Sequence, residues 1–255
     1  MHENTLIFGL LTEPQGETFC RYVRNYLYLC KLLLVDINTT VMRKVLILFF
    51  MALPFLAGAQ TTTLMGIDVS KYQGTVDWPK VANDNRLEFV YVKATEGATL
   101  TDERFATNVS EALKAGLQVG CYHVYSRHTN AQGQFENFKA TVKDCGMTLI
   151  PVVDIEPEPG FELNIKRVDM LLQLMEQEYG VKPMIYTTME AYKKYFNLER
   201  YASYHVYIAC YDLKFPDTRY TLWQYTPKEK VAGIMGYVDG VKLHPTYTID
   251  DIKLK

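Results

Sequence analysis

The sequence lacks any large charge imbalance. Its 27 lysines and arginines face 29 aspartates and glutamates, leaving a net charge of −2. Binding to nucleic acid or to an anionic membrane surface calls for a basic excess, so neither is expected as a partner. Cysteine is scarce too, and beyond residue 59 only Cys121, Cys145 and Cys210 remain. Three cysteines cannot make a disulfide framework, and no Cys-x-x-Cys or Cys/His spacing points to zinc. Three buried thiols are the expectation, with one disulfide and one free thiol as the alternative. Repeats, low-complexity tracts and linkers are missing after Gln60, so residues 60–255 read as one domain.

A hydrophobic run long enough for a comfortable membrane span is also missing. What stands nearest is "MRKVLILFFMALPFLAGAQ", beginning at Met42. Arg43 and Lys44 form a basic region, Val45 to Leu56 an apolar one, and Ala57-Gly58-Ala59 a small-residue cleavage site. That order reads as a signal peptide over 42–59, leaving Gln60 as the mature N-terminus. The expected location is secreted or periplasmic, with no membrane attachment after cleavage. Residues 1–41 show no clean periodicity and read as an upstream extension or a start assigned too early, with Met42 as the true start.

With 48% hydrophobic residues, the remainder has ample material for a sizeable core. Strand-like runs at 65–70, 89–97, 117–126, 149–156 and 182–188 alternate with helix-like runs. The helices fall in "VDWPKVANDN", with Asp77 as N-cap, and at 101–116, 130–146, 164–180 and 189–197. Three further strands, 205–211, 219–226 and 236–243, follow with gaps too short for full crossover helices. The expected fold is α/β: an incomplete TIM-like barrel of five β/α units followed by three helix-poor strands, with a parallel sheet. Chemistry in such barrels sits at the C-terminal strand ends.

Polar residues gather at those ends: Asp68, Lys93 and Glu96, Tyr122 and His123, Asp154 and Glu156, Tyr186 and Thr187, Tyr211, Trp223, Gln224 and Tyr225, and Asp239. Within "LIPVVDIE", period-two alternation puts Val152, Asp154 and Glu156 on one face and Pro151, Val153 and Ile155 on the other. The second face is apolar and should meet the helices, so the two acids point into the barrel mouth. Their Cα atoms would lie about 6.5–7 Å apart. Like charges that close cannot both ionise freely, and one pKa should rise. A carboxylic acid kept protonated in this way can donate to a leaving oxygen, and paired carboxyls in an aromatic cleft suit glycosidic bond cleavage. Simpler roles exist for each residue. Asp154 and Glu156 could be salt-bridged, Asp68 could cap a turn, Asp239 could be a turn residue, and His123 and Trp223 could be packed in the core. Glu158, between two prolines, reads as a solvated loop acid.

The motifs "GIDVSKYQGTVDW", "FVYVKATEG", "AGLQVGCYHVY", "PVVDIE", "MIYTT", "YIACY", "LWQYT" and "GYVDG" occur in the order found in glycoside hydrolase family 25. The chain therefore resembles the Chalaropsis-type lysozymes, N-acetylmuramidases, from Met65 to Leu243. The resemblance implies hydrolysis of the β-1,4 bond between N-acetylmuramic acid and N-acetylglucosamine, with bacterial peptidoglycan strands as the partner. It implies Glu156 as general acid/base and Asp154 as its partner, acting as nucleophile or as orienter of the substrate 2-acetamido group. Asp68 and Asp239 fall on the other two active-site aspartates. Tyr122, Tyr186 and Trp223 resemble sugar-contacting aromatics, and Glu96, Tyr211 and Gln224 complete the expected substrate-binding set. No metal or cofactor is implied, and a monomer is expected. Tyr72 stands where the family usually has Trp, Val124 where Phe is common, and Val241 where Asn often follows the aspartate. Two other readings remain: a non-catalytic peptidoglycan-binding protein on the same fold, or a glycosidase for another amino-sugar polymer.

Overall fold

A computed structural model describes residues 65–158, 160–211 and 216–255. The segments read as extension (1–41) and signal peptide (42–59) lie outside the described residues. Those described belong to a compact unit, Thr62–Lys255. None of their helices is long and apolar enough to cross a membrane.

Nine strands form one sheet: β1 Met65–Val69, β2 Leu87–Glu96, β3 Leu100–Thr101, β4 Gln118–Val124, β5 Val152–Asp154, β6 Met184–Thr188, β7 Val206–Ala209, β8 Leu222–Glu229 and β9 Val238–Leu243. β3 only adds to the end of β2. The others run in the order β1-β9-β8-β7-β6-β5-β4-β2, and β1 pairs with β2 to close the barrel. The helices are α1 Trp78–Ala82, α2 Phe105–Lys114, α3 Ala131–Val142, α4 Ile165–Tyr179 and α5 Met189–Ala191, the last running into a π-helical turn, Tyr192–Phe196. Each lies in one of the first five crossovers, so five β/α units precede three helix-poor strands as expected.

Three local expectations need correction. The sheet is not wholly parallel, because β9 runs antiparallel to both β8 and β1. The short β8–β9 connection has no room for a crossover and forms a hairpin instead. The strand expected over 149–156 pairs only at Val152–Asp154. Pro151 and Pro157 bracket it and have no N–H to give a ladder, while Leu149 bridges to Lys253 instead. Helix α2 begins at Phe105 rather than 101, because Leu100 and Thr101 pair with β2. The Asp102 carboxylate is occupied by the backbone N–H groups of Lys71 and Arg104, both at 2.9 Å.

Strand alternation sorts the core into two layers. Phe89, Tyr91, Val152, Met184, Tyr207, Leu222 and Val241 fill the barrel. Val90, Val92, Cys121, Val153, Ile155, Ile185 and Ile208 face outwards and join Phe105, Val109, Phe138, Val168, Leu171, Leu172 and Met175 of the helices. Each large side chain so buried is worth roughly 1.5–3 kcal/mol. The barrel accepts two aromatic rings from β2 only because glycines face them. A Cβ on Gly66 would lie 2.2 Å from Phe89, and one on Gly120 would lie 2.1 Å from Tyr91. Helix ends follow their sequence signals. Asp77, Asn130 and Asn164 accept backbone N–H bonds at the starts of α1, α3 and α4, and Gly180, at φ 69°, ends α4 in the left-handed region.

Candidate active site

The C-terminal ends of the parallel strands surround an open cavity of about 370 Å³. Antiparallel β9 enters from the opposite direction, so its first residues reach this same mouth. The β1–β9 register sets Asp68 directly opposite Asp239. These aspartates, remote in sequence, become a pair through strand direction alone.

Asp68 is held on one oxygen. Tyr207 Oη donates to its Oδ2 at 2.6 Å, and Gln224 Nε2 donates to the same atom at 2.8 Å. Gln224 Oε1 in turn accepts from Tyr186 Oη at 2.9 Å and from Tyr211 Oη. Burial, and then the neighbouring Asp239, push the Asp68 carboxyl up to about 8, against the opposing pull of Tyr207 and Gln224. Asp239 is also raised, first by burial, while its hydrogen bond with Asp68 pulls it down. Asp68 therefore carries the shared proton and Asp239 accepts it.

Asp154 and Glu156 form the second pair. Burial drives Asp154 well above the usual carboxylate range, and Glu156 and then Asp68 add to the rise. One oxygen, Oδ1, is buried with no hydrogen-bond partner. Glu156 opens to solvent at the mouth. Partial withdrawal of its carboxyl from water raises it, and its hydrogen bond with Asp154 opposes the rise. Both carboxyls are thus held above the ordinary range, the buried Asp154 more strongly than Glu156. Neighbouring strands fix the backbone here. Tyr125 N–H donates to the Asp154 carbonyl at 2.8 Å, Ile155 N–H to Tyr186 at 2.9 Å, and Thr187 Oγ1 to the Ile155 carbonyl at 2.6 Å. Glu156 is therefore anchored although it lies beyond the last paired residue.

Of the residues expected at the site, Asp68, Asp154, Glu156, Asp239, Tyr122, Tyr186, Tyr211 and Gln224 line the cavity, together with Lys93. Trp223 does not. It lies between inward-facing Leu222 and Gln224, so alternation turns it outwards, where it packs on Tyr220 and Tyr225. Its indole N–H donates to the Cys210 carbonyl at 2.7 Å. Glu96 is also outside the lining. An irregularity between Lys93 and Thr95 shifts the alternation, and Glu96 acts on the site by holding Lys93 Nζ at 2.7 Å. His123 and Thr187 face outwards from the barrel; His123 bonds Thr95 at 2.7 Å and Gln134 at 3.2 Å, and burial lowers it to about 4.

Several lining residues were not anticipated: Tyr91, Tyr207, Ser70 and Tyr72. Tyr91 and Tyr207 were accessible through alternation, since each lies between outward-facing apolar residues. Tyr72 sits in the 3-10 turn Lys71–Gln73, 82% exposed at the rim, and no periodicity marks it. Among the described residues, no group of three or more His, Cys, Asp or Glu is placed to hold a metal ion.

A closed β/α barrel with paired, proton-sharing carboxyls in a tyrosine-lined mouth has the build of a glycoside hydrolase. Comparison with known proteins agrees. The profile described as Glycosyl hydrolases family 25 matches residues 67–234. YegX of Escherichia coli (strain K12) is 36% identical over 188 residues, 69% of this chain and 68% of that protein. The autolytic lysozyme of Clostridium acetobutylicum is 30% identical, over 73% of this chain and 60% of that protein. The crystal structure of the bacterial lysozyme from Streptomyces coelicolor superposes with a TM-score of 0.65 at 27% identity, covering 71% of this chain and 92% of that one. The chain belongs to glycosyl hydrolases family 25.

Proposed function

We propose that this glycoside hydrolase is a lysozyme, an N-acetylmuramidase acting on the β-1,4 bond between N-acetylmuramic acid and N-acetylglucosamine in peptidoglycan. The observation that carries the reading is the carboxyl pair Asp154–Glu156, both lining the mouth of the cavity and both raised above the ordinary range. A proton passes from Asp154 to Glu156, and Glu156 delivers it to the glycosidic oxygen as the bond to C1 breaks. Asp154, now ionised, accepts the N–H of the substrate 2-acetamido group and turns its carbonyl oxygen towards C1. That oxygen closes on C1, and the Glu156 carboxylate then takes a proton from the water that reopens the ring.

Asp154 and Glu156 lie two residues apart at the end of β5 and both line the cavity. A carboxylate nucleophile would face the acid across the ring, about 5–5.5 Å away. The side-by-side placement supports Asp154 as orienter of the acetamido group. Asp239, ionised beside neutral Asp68, offers an acceptor to the sugar, and Tyr122, Tyr186, Tyr211 and Gln224 supply its remaining contacts. Similarity to the clostridial autolytic lysozyme supports peptidoglycan as the partner. The basic, apolar and small-residue order at 42–59, read as a signal segment, supports a secreted or periplasmic location.

Digestion of purified peptidoglycan by the full chain, followed by identification of the new reducing ends, tests this reading. Reducing muramic acid ends are expected. Reducing glucosamine ends would make the enzyme a glucosaminidase, and uncleaved glycan retained by the protein would make it a binding protein.

A further inference from the structure

Two cysteines outside the cavity have no part in the chemistry above. Cys121 lies in β4, buried in the layer between the sheet and the helices. Cys145 follows α3 and is partly buried against the same layer. Their sulfurs are 3.9 Å apart across 24 residues of chain. The chain bends sharply to bring them together. Asp144, at φ 57°, and Gly146, at φ 79°, flank Cys145 in the left-handed region. Asp144 is the only non-glycine residue with positive φ among those described. Such a conformation is unfavourable for a side-chain-bearing residue and persists where the surroundings enforce it.

We propose that Cys121 and Cys145 are a disulfide site that staples β4 to the turn after α3 when the protein meets a disulfide oxidant. Closing the bond needs the sulfurs to approach by about 2 Å, and Cys145, in an irregular turn at the surface, is the partner able to move. The hydrogen bond from Cys121, outweighing burial, brings the Cys145 thiol down to about 7. Burial pushes the Cys121 thiol well up. Cys145 is thus the attacking thiolate and Cys121 the resolving thiol. The Cys145 thiolate attacks one sulfur of a small disulfide and expels its other half as a thiolate. Cys121 then attacks Cys145 sulfur, its proton passing to the second departing thiolate. Two protein thiols are oxidised and one small disulfide becomes two thiols.

The staple would lie beside existing bonds between the same segments, since Thr148 N–H donates to the Val119 carbonyl at 2.7 Å and Val119 N–H to Thr148 Oγ1 at 2.9 Å. It would therefore secure the entry to β5, the strand that carries Asp154, from the strand that carries Tyr122. This inference does not depend on the glycan that the enzyme cleaves.

The test equilibrates the full chain with oxidised glutathione, alkylates the remaining thiols, and maps the peptides by mass. Peptide mapping separates this pair from Cys20, Cys30 and Cys210. The expected product is one species joining the Cys121 and Cys145 peptides, lighter by two hydrogens than their sum and split by dithiothreitol. Cys121→Ser should instead trap glutathione on Cys145. The linked protein should melt roughly 5–10 °C higher, a gain absent from Cys145→Ser. Full alkylation of both thiols after oxidation, or a link from either one to Cys210, would overturn the proposal.

Discussion

Replacing Tyr207 by Phe isolates one hydrogen bond in the Asp68–Asp239 pair. The ring stays, edge-on to Tyr186 at 4.9 Å between centroids, so packing changes little. What is lost is the 2.6 Å bond to Asp68 Oδ2. A hydrogen bond to a charged acceptor is worth roughly 1.5–3 kcal/mol, and about 1.4 kcal/mol corresponds to one pKa unit. Gln224 remains on the same oxygen and keeps part of the effect. The apparent value of the pair should therefore rise from about 8 by roughly one unit. Carbon NMR titration of the aspartate carboxyls reads this directly, with Asp68→Asn identifying the signal. Linkage gives a second readout of the same sign. A folded-state carboxyl raised above its ordinary value binds protons that the unfolded chain has lost, so its contribution to stability falls as pH rises from the ordinary aspartate range to about 8. Tyr207→Phe should extend that fall to higher pH. A downward shift, or an Asp68 signal titrating in the ordinary carboxylate range, would refute the reasoning.

Tyr72→Ala, at an exposed rim position, should raise KM several-fold in a peptidoglycan clearing assay while Tm stays constant. Trp223→Phe should lower Tm by a few degrees, because the partly buried Cys210 carbonyl loses its indole donor, yet leave KM unchanged. Gly120→Ala should destabilise the barrel by roughly 1–3 kcal/mol in urea melts, because its methyl would meet the Tyr91 ring. Lys93→Met removes a positive charge that lowers Asp154, so the Asp154 carboxyl should move further up in the same NMR titration.

The sequence was most readable where a local rule governs. Alternation in "LIPVVDIE" assigned Val153 and Ile155 to the helix layer and Asp154 to the mouth, and the structure places them so. The cap at Asp77 likewise follows directly from side-chain chemistry. The same alternation, applied to "LWQYT", would have turned Trp223 outwards; its resemblance to a sugar-contacting aromatic outweighed that signal. Non-local features were harder to read. Nothing near Asp239 says that β9 runs antiparallel, and it is this direction that sets Asp239 against Asp68. The irregularity at Ala94 that changes the course of β2 has no marker such as glycine. Asp144 likewise takes a conformation that glycine would usually occupy.

The central claim is that Glu156 delivers the proton that breaks the glycan. Release of reducing ends from peptidoglycan by Glu156→Gln, measured beside the unsubstituted enzyme at matched Tm, tests it most directly. The amide keeps the shape of the side chain and removes the transferable proton. The expected result is a fall in rate of about 10²–10⁴-fold with glycan still bound. A variant that cleaves at the unsubstituted rate would contradict the assignment of Glu156.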